Sequence, residues 1–111
     1  MKKTLYVLAL MLWSLPALAG EQTGTVNHLL VRASDGLVYF YLEGSAKTNS
    51  PACARNDYWM IRDENSEVGK KQYAMLLAAQ ASGKRVKVVG LNTCQRWGDG
   101  EDVNFIQLLN N

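Results

Sequence analysis

The sequence predicts one small, mainly β domain: a five-stranded barrel that carries a single helix. Three observations predict it. Five runs are rich in strand-forming residues, one longer run sits between helix-capping residues and a Ser-Gly stop, and the pieces follow one another as β-β-β-α-β-β. With 111 residues, 48% of them apolar and 20% charged, the chain can build one packed core. It is too short for a multidomain enzyme, and its composition excludes wholesale disorder and collagen-like or low-complexity structure.

The domain is preceded by a targeting segment. Lys2 and Lys3 open the chain, Leu5 to Leu15 is almost unbroken hydrophobic, and Ala17-Leu18-Ala19 ends in a small-x-small cleavage site. Together these are the parts of a secretory signal peptide, residues 1–19, cleaved after Ala19. The apolar run is shorter than the roughly 20 residues that span a bilayer, so no membrane span is expected in the mature chain, residues 20–111. Of twelve Lys+Arg and ten Asp+Glu, cleavage removes Lys2 and Lys3 and no acid, so the net charge falls from +2 to zero. A neutral exported domain, periplasmic or secreted, is a poor match for nucleic acid, which demands a dense positive field.

Gly24 to Arg32 (GTVNHLLVR) is the first strand, closed by Ala33-Ser34-Asp35-Gly36, whose Asp-Gly suits a tight turn. The second, Leu37 to Glu43, puts Val38, Phe40 and Leu42 on one face and Tyr39 and Tyr41 on the other. Gly44 to Asn56 is a loop of Gly, Ser, Thr, Asn and Pro holding Cys53. Tyr58 to Arg62 is a short third strand that sets Tyr58, Met60 and Arg62 against Trp59 and Ile61.

Asp63 to Glu67 supplies caps for a helix over about Glu67 to Ser82, which Gly83 stops. This helix is apolar nearly all round. Its second apolar face, Ala74, Met75, Ala78 and Ala79, has two readings: contact with another subunit, which makes the protein a homo-oligomer, or exposed alanines that only raise helix propensity. Arg85 to Leu91 alternates as a half-buried strand, and Val103 to Leu109 completes the set. This order is that of the OB-fold.

Cys53 and Cys94, 41 positions apart in an exported domain, are most simply one disulfide, whose loop closure stabilises by about 3 to 4 kcal/mol. The competing two-thiol redox or metal site has no C-x-x-C, and the sole histidine is His28.

The segments YFYLEG at 39–44, PAC at 51–53 and LLAAQASGKRVKVVGLNTC at 76–94 resemble the binding subunits of subtilase cytotoxin and their relatives. That family comprises small exported OB-fold subunits which form pentameric rings, bind sialylated host glycans and carry a catalytic A subunit. The resemblance implies the same fold, a bridge at Cys53 and Cys94, and a sugar-holding role for Thr23, which precedes the glycine of the first strand.

No nucleophile-base pair, paired carboxylates or metal cage is legible, so neither catalysis nor a cofactor is expected. Asp99, Glu101 and Asp102, with Gly98 and Gly100, could offer oxygens to Ca²⁺, but the spacing is not that of an EF-hand loop and a solvated acidic turn is the plainer reading. The aromatic residues say more: Tyr39, Tyr41, Tyr58, Trp59 and Trp97 could stack on sugar rings, while Asn49, Arg55, Asn56, Asn92 and Arg96 in nearby loops take up hydroxyls and carboxylates. The other reading gives those rings to packing or to a subunit interface. Two functions follow for a non-enzymatic exported protein: a glycan-binding toxin B-like subunit, or a structural factor that uses the barrel to contact an envelope protein.

Overall fold

A computed structural model describes residues 18–110, so most of the segment expected to be a signal peptide, residues 1–19, lies outside the described residues. Its strands are β1 (Glu21–Val31), β2 (Val38–Gly44), β3 (Trp59–Met60), β4 (Arg85–Gly90) and β5 (Glu101–Leu108), with α1 (Glu67–Ser82) between β3 and β4. They close into a barrel in the order β1-β2-β3-β5-β4, with β4 returning to β1. Every pairing is antiparallel except that of β3 with β5. This is the predicted OB-fold.

β1 begins three residues earlier than Gly24 because it serves two partners. Glu21 to Thr25 pairs with β4, and Gly24 to Val31 pairs with β2. A register shift between Val26 and His28 leaves Asn27 unpaired and bends the strand from one partner to the other. At Gly24 the neighbouring strand passes so closely that a Cβ would overlap the Glu43 carbonyl.

β3 is shorter than Tyr58 to Arg62, and its predicted alternation fails. Trp59, Met60 and Ile61 are all fully buried. Trp59 belongs to the barrel core and donates through Nε1 to Gln22 Oε1 at 2.8 Å. Met60 lies outside that core, in a second buried layer with Leu37 beneath Tyr39 and Tyr58.

α1 keeps its predicted limits. The Ser66 hydroxyl accepts from the Gly69 N–H at 3.0 Å, and Gly83 ends the helix at φ 71°. Leu76 and Ala79 enter the core formed by Val26, Val38, Phe40, Leu42, Trp59, Ile61, Val86, Val88, Val103 and Ile106. Two members of the predicted second apolar face therefore belong to the barrel, since Met75 also packs against the core and Ala79 is wholly buried. The outward stripe is Ala74, Leu77, Ala78 and Ala81.

β5 starts at Glu101, not Val103, and this overturns the solvated acidic turn. Glu101 and Asp102 are both fully buried. Asp102 accepts from Thr93 Oγ1 at 2.6 Å and from the N–H groups of Gln95 at 2.8 Å and Arg96 at 3.0 Å, so its carboxylate folds the 91–100 loop around itself. Cys53 is joined to Cys94, tying that loop to the one after β2.

Candidate functional site

The outward side chains of β1 and β2 and three loops build one aromatic surface. Strand alternation turns Tyr39 and Tyr41 outward, opposite buried Val38, Phe40 and Leu42. Tyr58 stands beside both, with ring centroids 5.5 Å from Tyr39 and 5.7 Å from Tyr41, each in an edge-to-face arrangement. His28, opposite Tyr41 in the β1–β2 ladder, extends the row with its ring 5.7 Å from Tyr41.

Next to this row lies a recess of about 70 Å³, with Leu37, Met60, Tyr39 and Tyr58 as its body and Arg32 and Trp97 at its rim. The Arg32 guanidinium sits 4.2 Å from the centroid of the Trp97 ring, which is 40% exposed. Arg32 is held there by a two-pronged bond to Asp35, Nε to Oδ1 at 3.0 Å and Nη2 to Oδ2 at 2.7 Å. That bond, with the Leu37 N–H, keeps the Asp35 carboxyl well below the usual range.

At the other side of Tyr58 is a polar cluster. Tyr58 Oη donates to Asp99 Oδ1 at 2.5 Å, and Asn56 Nδ2 donates to Asp99 Oδ2 at 2.9 Å. Burial, then the hydrogen bond to Asp99, pushes the Tyr58 phenol up to about 12. Arg55 is exposed and makes no ion pair among the described residues, one position from Asn56.

The predicted residues divide accordingly. Tyr39, Tyr41 and Asn56 share the surface centred on Tyr58, and Trp97 joins it through the recess. Thr23 lies further along β1, paired with Lys87 of β4 and hydrogen-bonded through its N–H to Ser45 Oγ. Arg96 is committed elsewhere: its Nε and Nη2 meet the two Glu64 oxygens at 3.0 and 3.1 Å, and Nη2 also donates to the Asp35 carbonyl at 3.0 Å. It therefore clamps three segments together and has no free fork for a ligand carboxylate. Sequence reasoning missed Arg32 and the pairing of Asp99 with Tyr58 and Asn56. The i, i+3 spacing of Arg32 and Asp35 across the turn was the available signal for the first.

The arrangement offers stacking faces, hydroxyls, a carboxamide and cations, the equipment of non-covalent recognition. Asp99 stands apart from buried Glu101 and Asp102, so the three acids do not converge as a Ca²⁺ cage, and no group of three metal-ligating side chains gathers among the described residues. In comparisons with protein-family models, curated proteins and solved structures, nothing matches this chain.

Proposed function

We propose that this is an exported, non-enzymatic binding protein whose aromatic surface takes a glycan, in keeping with its resemblance to the toxin binding subunits. One observation carries the reading: three tyrosines in edge-to-face contact, next to a recess rimmed by Trp97 and Arg32 and flanked by Asn56 and Asp99. Sugar C–H faces lie on rings while hydroxyls are met by planar amides and carboxylates, and the exposed Arg55 suits an acidic sugar. The test is a glycan array with the oxidised mature chain beside Trp97→Ala and Tyr39→Ala. Binding that falls at least about tenfold in both variants supports the reading, and no binding above background ends it.

The outward helix stripe, Ala74, Leu77, Ala78 and Ala81, favours contact with protein. In the toxin-like reading the occupant is another copy of the chain in a ring that also carries a catalytic A subunit. In the alternative the protein is a periplasmic structural or protein-interaction factor that uses its barrel as a scaffold, and the occupant is an envelope protein. Light scattering at several concentrations separates them, since a ring supports the first and a monomer the second.

A further inference from the structure

Glu101 is wholly buried where β5 begins, and its two oxygens are unequally served. Oε2 accepts the N–H of Gly20 at 3.0 Å and that of Asn92 at 2.9 Å, whereas Oε1 is buried without a hydrogen-bond partner among the described residues. Two glycines make room for the carboxylate: a Cβ on Gly20 would overlap Oε1, and one on Gly90 would overlap Oε2. Gly20 is itself buried, and its carbonyl accepts from the Gly90 N–H at 2.9 Å. One residue earlier the chain leaves the barrel, with Ala19 half-buried and Leu18 64% exposed. This buried carboxylate takes hydrogen bonds only from neutral amides and leaves one oxygen unmatched, and Lys47, whose charge it draws, makes no hydrogen bond to it among the described residues.

We propose that this pocket receives the chain's own α-ammonium, created when the segment ending at Ala19 is removed. The proposal rests on the export reading. Water hydrolyses the Ala19–Gly20 peptide bond under a signal peptidase, leaving a carboxylate on Ala19 and an amine on Gly20 that is protonated at neutral pH. The nitrogen already stands within hydrogen-bond distance of Oε2. Its added protons supply the donor that Oε1 lacks, and its charge balances Glu101. Glycine is required at the new terminus because a side chain would displace Oε1. Cleavage thereby completes the barrel end, and the processed chain is more stable than one with a single extra residue.

The charged groups around this ammonium are few. Glu101 faces it from β5. Lys47, from the loop after β2, places Nζ 4.1 Å from the centroid of the Trp59 ring, buried and without a hydrogen-bond partner among the described residues. Burial pushes the Lys47 ammonium below its ordinary range, against the pull of Glu101 and, more weakly, of Asp57. Glu21 turns away to Lys87, 3.5 Å distant. Pairing with Glu101 raises the ammonium above the usual α-amino range of about 7.7 to 8.0, so its stabilisation is whole below that range and is lost as pH rises through the raised value.

The test compares three oxidised chains: one beginning at Gly20, one beginning Ala19-Gly20, and the Gly20 chain acetylated at its terminus. Below about pH 7 the Gly20 chain should melt roughly 5 °C above both others, and the gap should close above about pH 10. In Glu101→Gln the gap should vanish. Equal melting of all three chains at neutral pH overturns the pair, as does a gap that persists at alkaline pH. The acetylated chain keeps the test decisive if Glu101→Gln does not fold. The N-terminal mass of the exported protein addresses the export reading separately: a start other than Gly20 overturns the role of processing even where the Gly20 chain shows the gap.

Discussion

Tyr58 and Asp99 are hydrogen-bonded at 2.5 Å across 41 positions of sequence, and the Asn56 side chain touches both. Through this triangle the segment leading into β3 and the loop leading into β5 meet on the tyrosine-bearing surface. The parallel pairing of β3 with β5 brings them together, because Trp59 and Met60 lie opposite Glu101 and Asp102.

The triangle has an alkaline signature. A phenol held at about 12 in the fold and near 10 in the unfolded chain keeps its proton longer when folded. Its contribution to stability is present below about pH 10 and is lost between there and about pH 12. Ultraviolet titration of tyrosinate should show one late-ionising residue that disappears in Tyr58→Phe. Folded protein whose tyrosines all ionise near 10 would contradict the assignment.

Arg96→Lys should cost about 1 to 2 kcal/mol, read from the urea midpoint, because an ammonium cannot reproduce the fork on Glu64 and the bond to the Asp35 carbonyl. Arg55→Ala, at an exposed side chain with no ion pair among the described residues, should leave the midpoint within about 0.5 kcal/mol and change only ligand binding. Equal losses in the two variants would show that the clamp contributes nothing particular.

Gly90→Ala and Gly98→Ala should differ sharply. A Cβ at Gly90 would overlap the buried Glu101 carboxylate, whereas nothing lies within 4 Å of one at Gly98. The first should lose at least about 2 kcal/mol, and the second should stay within about 0.5 kcal/mol. Denaturant titration of both decides it.

Replacing Cys53 and Cys94 together by Ala should lower stability by about 4 kcal/mol, since the bridge closes a loop of 41 positions. The loss should also weaken any ligand binding, because the bridge joins the two loops that carry Asn56 and Trp97. A double variant with unchanged binding at a temperature where it is folded would show that the tyrosine row acts alone.

Much of the fold was legible because its local signals are strong. β2 alternates cleanly, α1 has a serine cap and a left-handed glycine stop, and β4 places Val86, Val88 and Gly90 inward as written. The tyrosine face was legible for the same reason, as outward residues of an amphipathic strand. β3 was read poorly because tertiary neighbours cover both of its faces, which erases the alternation. Glu101 and Asp102 were misread because acids beside glycines look like a solvated turn, and it is the donors folded around them, backbone N–H groups and the Thr93 hydroxyl, that make burial tolerable.

The sequence by itself determined the elements, their order and the pattern of inward and outward residues, since period and capping are properties of neighbours along the chain. Only the tertiary structure decided which distant side chains meet. It spent Arg96 on Glu64, put Arg32 against Trp97, set Asp99 beside Tyr58, and left Glu101 facing the nitrogen of Gly20. Barrel closure makes these choices: the register of β3 with β5 and of β1 with β4 fixes which loops share an end, and that register is a property of packing between strands remote in sequence.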